Sequence, residues 1–412
     1  MKYGCIAEKL GHSYSKEIHS YLADYPYELC EIAHEKLDAF MKARDFTAIN
    51  VTIPYKQDVI PYLDEISETA KKIGAVNTIV NRNGKLYGYN TDFFGMRSLI
   101  LTNKMNPYGK KALVLGTGGT SKTAAAVLED LGAREIYKVS RTARDGAVTY
   151  EDAQKYHSDA EFIINTTPVG MYPKIGVSPI DLNCYPKVEA VVDAVYNPLR
   201  PKLISDAIEK GIPAIGGLYM LVAQAARACE FFIDTEISDE KILDVYKIML
   251  KKTENIVLVG MPASGKTTIG KKLAEKLGRV FVDCDEEIIK KAGKSIPEIF
   301  EECGEKGFRD LESEVIREVS LLKNTVIATG GGAILRRENT DLLGENGRIY
   351  FIDRPLEKLI PTSDRPTAST REAIEKRYRE RYEIYASCCH VHIPATDNVE
   401  ENTQKIIEDF LK

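Results

Sequence analysis

The stretch Ile256–Gly270, IVLVGMPASGKTTIG, limits what this chain can fold into more than any other. An apolar run leads into G-x-x-x-x-G-K-T and then into a helix-forming segment, the strand–loop–helix order of a phosphate-binding loop. Gly260 and Gly265 let the backbone curl so that its N–H groups point at phosphate oxygens, and the helix N-terminus adds positive partial charge. Lys266 is expected to reach the β and γ phosphates of ATP and Thr267 to ligate Mg²⁺; Thr268 is counted with the ATP-binding residues. Such a loop predicts a parallel sheet wrapped by helices over residues 253–412. In a chain of 412 residues it leaves room for one or two further domains before it.

A net charge of −5 argues against nucleic acid or an acidic membrane as the main partner and favours small molecules. The apolar runs fall short of the roughly 18 residues a membrane span needs, and MKYGCIAEKLG has no apolar core of a secretion signal. Eight cysteines without a C-x-x-C pair suit free thiols in a reducing cytoplasm.

Before the loop, TAINVTIP, AVNTIV and KLYGYN read as strands and LDEISETAKKIG as a helix closing at Gly74. From Lys111 the pattern tightens to strand, glycine turn and helix: KALVLGTGGTSKTAAAVLEDLG. EIYKVS, EFIINTT and EAVVDAVY follow as near-continuous apolar runs, the mark of a parallel sheet covered on both faces. Gly116, Gly118 and Gly119 make a dinucleotide turn in which Ser121 takes the third glycine position. The second strand ends in Ser140, Arg141 and Thr142, with Arg144 nearby. Guanidinium groups there suit a 2′-phosphate, so NADP(H) is expected over NAD. Glu135 stands at about the count expected of a ribose-binding acid but at the start of the strand, and is discounted. ISDEKILDVYKIMLKK reads as an amphipathic helix capped by Ser238.

Polar groups punctuate the first hundred residues: Ser13 and Ser15 in GHSYSKEIH, Thr52 and Lys56 in NVTIPYK, Asn77 in GAVNTIV, and Asn90 and Asp92 in GYNTDFFG. Their order and spacing, with G-x-G-G and the later GLYMLVAQAA, resemble shikimate dehydrogenase across about residues 1–250. The resemblance implies substrate contacts from Ser13, Ser15, Thr52, Lys56, Asn77, Asp92 and Gln224, with Tyr196 of DAVYNPLR near nicotinamide and substrate. Lys56 and Asp92 form a cation–anion pair suited to polarise a carbonyl oxygen and relay its proton, and which of the two is the formal acid stays open. Lys16 and Phe93 depart from the family pattern; Phe93 either narrows the pocket or alters packing near Asp92.

After the phosphate loop, FVDCDEEI places Asp283 and Asp285 two residues apart, read as one face of a strand end. EEKGFRDLESE carries Arg309 with Glu312 one helical turn on to orient it. VIATGGGAIL supplies three glycines after a buried strand, and RYRERYEIYA brings Arg381 near Tyr385. This ordered set resembles shikimate kinase over essentially all of residues 255–412. The resemblance implies Asp283 on the metal side, Asp285 as the proton acceptor, shikimate held by Asp285, Arg309, Gly331 and Arg381, and Arg365 as a lid arginine over the phosphates. Ile360-Pro361 stands where the family carries another lid arginine. Arginine pairs bind carboxylates bidentately, which favours a carboxylate acceptor over a hydroxyl-only one; gluconate or a nucleoside monophosphate is the alternative kinase substrate.

The expected architecture is α/β throughout: a substrate-binding domain (1–100), a Rossmann NADP-binding domain (101–252) with a C-terminal helix, about 218–250, that returns to the substrate domain, and a P-loop kinase domain with a parallel sheet (253–412). The expected chemistry is two consecutive steps on one ring acid. Quinate or a related hydroxy acid is the alternative substrate, and a fusion with one regulatory nucleotide-binding domain is the alternative class.

Overall fold

A computed structural model describes residues 1–11, 13–144, 146–359 and 370–412. The chain packs as two compact units. The first comprises residues 1–171, 177–196 and 206–249; the second comprises 172–176, 197–205 and 250–412.

Two sheets build the first unit. One is six-stranded, in the spatial order Tyr27–Glu31, Tyr3–Ala7, Ala48–Val51, Thr78–Arg82, Lys85–Tyr89, Glu65–Ile66. Its first three strands are parallel, and the next two join antiparallel. Between Thr78–Arg82 and Lys85–Tyr89 the reversal is local chemistry: Asn83 (φ 55°) and Gly84 (φ 84°) form a two-residue turn with both φ positive, the conformation that Asn-Gly favours in a tight hairpin. One expectation needs correction here. LDEISETAKKIG is helical only over Glu68–Ile73, because Ser67 Oγ caps the Ala70 N–H and starts the helix there. Glu65–Ile66 upstream pairs with Tyr87–Gly88 as an edge strand. Gly74, at φ 70°, closes the helix as expected.

The second sheet runs Ala214–Ile215, Ala190–Asp193, Phe162–Asn165, Lys111–Leu115, Glu135–Ser140, Val148–Thr149, with every pairing parallel. Its three central strands are buried along their whole length, as their unbroken apolar runs require. The helix expected over about 218–250 is two, Leu218–Ile233 and Asp239–Thr253, because Asp234 turns left-handed (φ 53°) and ends the first; the first packs on Thr91–Thr102 and also meets Ser15–Leu22, Ala48–Val51 and Thr78–Arg82. Gly95 permits that crossing, since a Cβ there would lie 2.6 Å from the Met220 carbonyl oxygen.

The second unit holds a five-stranded parallel sheet in the order Val280–Asp283, Thr325–Ala328, Asn255–Val259, Gly347–Asp353, Val391–Pro394. Side chains of the central strand alternate between two cores. Val257 and Val259 face one with Ile327 and Phe351, and Ile256 and Leu258 face the other with Val326 and Tyr350. The phosphate loop therefore leaves the middle of the sheet at its C-terminal edge, where α/β folds bind ligands. Among the described residues no helix is long and apolar enough to cross a membrane.

Candidate functional site

In the first unit a cavity of about 590 Å³ collects groups from seven separate segments. Ser13 and Ser15 reach it from the start of the helix Ser15–Leu22, where the Ser15 N–H donates to Ser13 Oγ at 3.2 Å. Thr52 and Lys56 follow the buried strand Ala48–Val51. Asn77 lies just before Thr78–Arg82, Asp92 in the first turn of Thr91–Thr102, Tyr196 beyond Ala190–Asp193, and Gln224 in Leu218–Ile233. Every dehydrogenase substrate residue expected from the sequence thus lines one cavity.

At its centre Lys56 Nζ donates to Asp92 Oδ2 at 2.6 Å, with both side chains mostly buried. Asn77 Oδ1 accepts the Thr91 N–H at 2.7 Å and its Nδ2 donates to Thr91 Oγ1 at 3.0 Å. That tie fixes the helix turn bearing Asp92 against the sheet. Asn90 is a cap: its Oδ1 accepts the Phe93 N–H and its Nδ2 donates to the Ala75 carbonyl. Phe93 turns away from the cavity and packs on Ile73, Ala75 and Ala126, so of the two effects considered for it, altered packing is the one realised. Lys16 is exposed in the first turn of its helix. Sequence reasoning missed Asn50, whose Nδ2 donates to Thr78 Oγ1 while its Oδ1 accepts from the Tyr27 hydroxyl; a lone amide inside the apolar run TAINV was the signal available. It also missed Cys5, whose thiol burial pushes up to about 12, so it stays protonated.

Thr120 lines the same cavity and brings the glycine turn to it. Gly116 has φ 110°, and a Cβ there would meet Thr166 Oγ1 at 2.7 Å, so glycine is required twice over. Gly118 and Gly119 open the helix Gly119–Asp130, and Ser121 Oγ closes the turn on the Gly118 carbonyl at 2.7 Å. Beyond the neighbouring strand, Ser140 Oγ accepts the Thr142 N–H at 3.3 Å. Arg141 is exposed, and Arg144 donates to Thr117 Oγ1 at 3.4 Å, beside the glycine turn. Glu135 sits at the other end of the strand, bonded to Arg134 and the Tyr137 hydroxyl. If the exposed guanidinium reads a 2′-phosphate, Arg141→Gln raises the KM for NADPH about tenfold, as loss of a charge-assisted contact does, and leaves that for NADH within twofold. Steady-state saturation with each cofactor checks this.

In the second unit the loop from Gly260 to Lys266 opens the helix Lys266–Leu277. Gly260 (φ 152°) has no room for a Cβ, which would sit 2.7 Å from the Ile352 carbonyl, and Gly265 has φ 95°. Lys266 Nζ donates to the Gly260 and Met261 carbonyls at 2.9 and 3.0 Å, folded across the loop it serves. Thr267 Oγ1 donates to Asp283 Oδ2 at 2.8 Å, and Thr268 is exposed on the same turn. Ala263 adopts φ 64° within the loop, a left-handed conformation that costs a residue with a Cβ about 1–2 kcal/mol. Ala263→Gly is expected to stabilise the protein by about 1 kcal/mol in denaturant unfolding with kinase turnover retained.

The reading of Asp283 and Asp285 as neighbours on one strand face is corrected. The strand ends at Asp283, whose Oδ1 caps the helix Cys284–Ala292 by accepting the Asp285 N–H at 3.0 Å. The two carboxylates diverge for that reason: Asp283 turns to Thr267, and Asp285 lines a cavity with Arg309, Gly331 and Arg381. Arg309 Nη1 donates to Glu312 Oε2 at 2.9 Å, while Arg381 Nη1 and the Tyr385 hydroxyl donate to the Gly331 carbonyl at 2.9 and 2.5 Å. Gly330 and Gly332 are packed by these groups, and Gly331 by Pro262, whose ring a Cβ would meet at 2.8 Å. A Cβ on Gly330 would come within 2.7 Å of Asp285 Oδ1 and 2.8 Å of Glu312 Oε1, and one on Gly332 would overlap the Arg309 guanidinium. Burial raises the Glu312 carboxyl against the pull of Arg309, and burial lowers Arg381. Phe300 and Phe308 supply an apolar wall that the sequence did not announce. Arg365 and Ile360-Pro361 lie outside the described residues.

Thr267 and Asp283 offer two hard oxygens beside the phosphate loop. That donor set fits Mg²⁺, which takes one or two protein oxygens and completes its shell with phosphate and water.

Comparison with known proteins gives two family matches. The shikimate dehydrogenase substrate binding domain matches residues 5–79, and shikimate kinase matches residues 262–411. Shikimate dehydrogenase (NADP(+)) of Clostridium beijerinckii is 38% identical over 263 residues, covering 60% of this chain and 97% of that protein. The counterpart of Halothermothrix orenii is 39% identical over 254 residues, 55% of this chain and 88% of that one. A chorismate mutase/shikimate 5-dehydrogenase fusion protein from Clostridium acetobutylicum superposes with a TM-score of 0.58 at 36% identity, over 61% of this chain and 97% of that one. Shikimate 5-dehydrogenase from Thermus thermophilus, in complex with NADP(H) and shikimate, gives 0.54 at 28% identity, over 60% and 99%. Fold and site define a nicotinamide-dependent oxidoreductase fused to a P-loop kinase of small molecules. The chain belongs to the shikimate dehydrogenase family in its first part and carries a shikimate kinase domain after it.

Proposed function

We propose that the protein carries out consecutive steps of the shikimate pathway: reduction of 3-dehydroshikimate to shikimate with NADPH, then phosphorylation of the new C3 hydroxyl with ATP. The observation that carries this reading is the Lys56–Asp92 pair, 2.6 Å apart in the cavity that also holds Ser13 and Ser15. An acid–base couple and a carboxylate grip then share one ring-sized space.

When bound, the nicotinamide supplies hydride, and the magnesium-bound triphosphate supplies an electrophilic phosphorus. The serine hydroxyls donate to the ring carboxylate, while Asn77 and Thr52 fix the hydroxyl-bearing edge. Lys56 polarises the carbonyl oxygen, and the Lys56–Asp92 couple delivers the proton that the forming alkoxide needs. Tyr196 and Gln224 close the walls around the ring. In the kinase domain Arg309 and Arg381 hold the carboxylate, with Glu312 keeping the Arg309 fork in place. Asp285 accepts the proton from the attacking hydroxyl, Lys266 swings from the loop carbonyls to the phosphates, and Thr267 with Asp283 provides the metal-side oxygens. Eight free cysteines suit a reducing, cytoplasmic setting.

Two separate assays test the reading. NADPH oxidation is followed with 3-dehydroshikimate and no ATP; ADP release is followed with shikimate, ATP and Mg²⁺ but no NADPH. Both proceed under the proposal. NADPH loss without any ADP release would make the second domain a regulatory nucleotide binder.

A further inference from the structure

The dehydrogenase cavity carries a charge that the reaction chemistry leaves unused. Among the described residues three charged side chains line it: Lys9, Lys56 and Asp92. Lys56 and Asp92 neutralise each other at 2.6 Å. Lys9 has neither a hydrogen bond nor an ion pair among the described residues, so the cavity holds one surplus positive charge at its wall. We propose that Lys9 is a specificity-determining residue whose ammonium selects the anionic, carboxylate-bearing form of the substrate; this rests on the reading of the cavity as the 3-dehydroshikimate site.

Position supports charge. Lys9 follows the buried strand Tyr3–Ala7 and stands on the connection that goes on to Ser13 and Ser15. Leu10 anchors this connection, its N–H donating to Glu31 Oε1 at 2.9 Å. The lone cation and the two hydroxyls that would grip the carboxylate therefore come from one short segment, while the Lys56–Asp92 couple comes from two others. A ring acid bound between them has its charged end toward Lys9 and its carbonyl toward the couple, and the reverse orientation would leave the carboxylate facing Asp92. The exposed ammonium acts through space and through solvent, so its effect falls on encounter and binding, is screened by salt and leaves the hydride step alone.

The test is steady-state reduction by the full chain at several ionic strengths, with wild type, Lys9→Gln and Lys9→Glu. Lys9→Gln is expected to raise the KM for 3-dehydroshikimate about three- to fivefold, the scale of an exposed charge pair, and to flatten the salt dependence of kcat/KM. Lys9→Glu is expected to raise it about tenfold or more. In both variants kcat and the KM for NADPH stay within twofold. With the uncharged methyl ester of 3-dehydroshikimate the three proteins are expected to have equal KM values, a result that loss of folding would not produce. Unchanged KM and salt dependence with the acid, or an equal loss with acid and ester, would overturn the role of Lys9. A wild-type protein that leaves NADPH untouched with 3-dehydroshikimate would instead overturn the reading of the cavity.

Discussion

Lys266→Ala is expected to abolish measurable phosphoryl transfer, with a loss of at least about 10²–10³-fold in kcat, while NADPH-dependent reduction proceeds at the wild-type rate. The ammonium is held across the loop by the Gly260 and Met261 carbonyls at 2.9 and 3.0 Å, from which it is expected to swing to the phosphates. Charge that develops on the transferred phosphoryl group is stabilised by donors fixed in a site shielded from water, and removing one leaves a deficit that solvent does not make good. The helix Lys266–Leu277 keeps its core contacts through Ile269, Leu273 and Ala274, so the fold is retained. ADP release with shikimate reports the loss, and NADPH oxidation in the same preparation serves as the folding control. Survival of ADP formation would mean that the loop has been misread.

The converse is expected of Lys56→Ala: reduction falls about 10²–10⁴-fold, the range of general acid–base contributions, and kinase turnover with added shikimate is unchanged. Removing the ammonium also strands Asp92, whose partner at 2.6 Å is gone. A carboxylate left without a counter-ion repels the forming alkoxide, so the variant loses both the donor and the favourable field. The KM for 3-dehydroshikimate is expected to move much less than kcat, because the carboxylate grip lies on another segment. Equal loss of both activities would show that Lys56 supports the fold and leaves the chemistry to other groups.

The sequence revealed most where one turn of backbone carries a whole function. Gly260, Gly265, Lys266 and Thr267 lie on one short loop, as do Gly116, Gly118 and Gly119, and Arg309 with Glu312 is a single helical spacing. The central strands were legible because burial on both faces leaves an unbroken apolar run. Legibility failed where a residue serves two elements. Asp283 ends a strand and caps a helix, so the two-residue spacing to Asp285 suggested a shared face that the cap removes. Ser67 likewise begins a helix in the middle of a segment whose pattern looked helical throughout. Packing across distant segments stayed hidden for a different reason. The pressure of Asp285 and Glu312 on Gly330, of Pro262 on Gly331 and of Arg309 on Gly332, and the turn of Phe93 toward Ile73, Ala75 and Ala126, exist only once the chain has folded.

Both active sites are argued to act on one carbon of one ring, and isotope transfer tests that claim most directly. NADPH carrying deuterium in its transferable position is supplied with 3-dehydroshikimate, ATP and Mg²⁺, and the product is read by mass spectrometry and NMR. The account predicts shikimate 3-phosphate with a single deuterium on the phosphorylated carbon, and one ADP for each NADPH consumed. Deuterated shikimate accumulating without phosphate, or phosphate on a carbon that carries no deuterium, would contradict it.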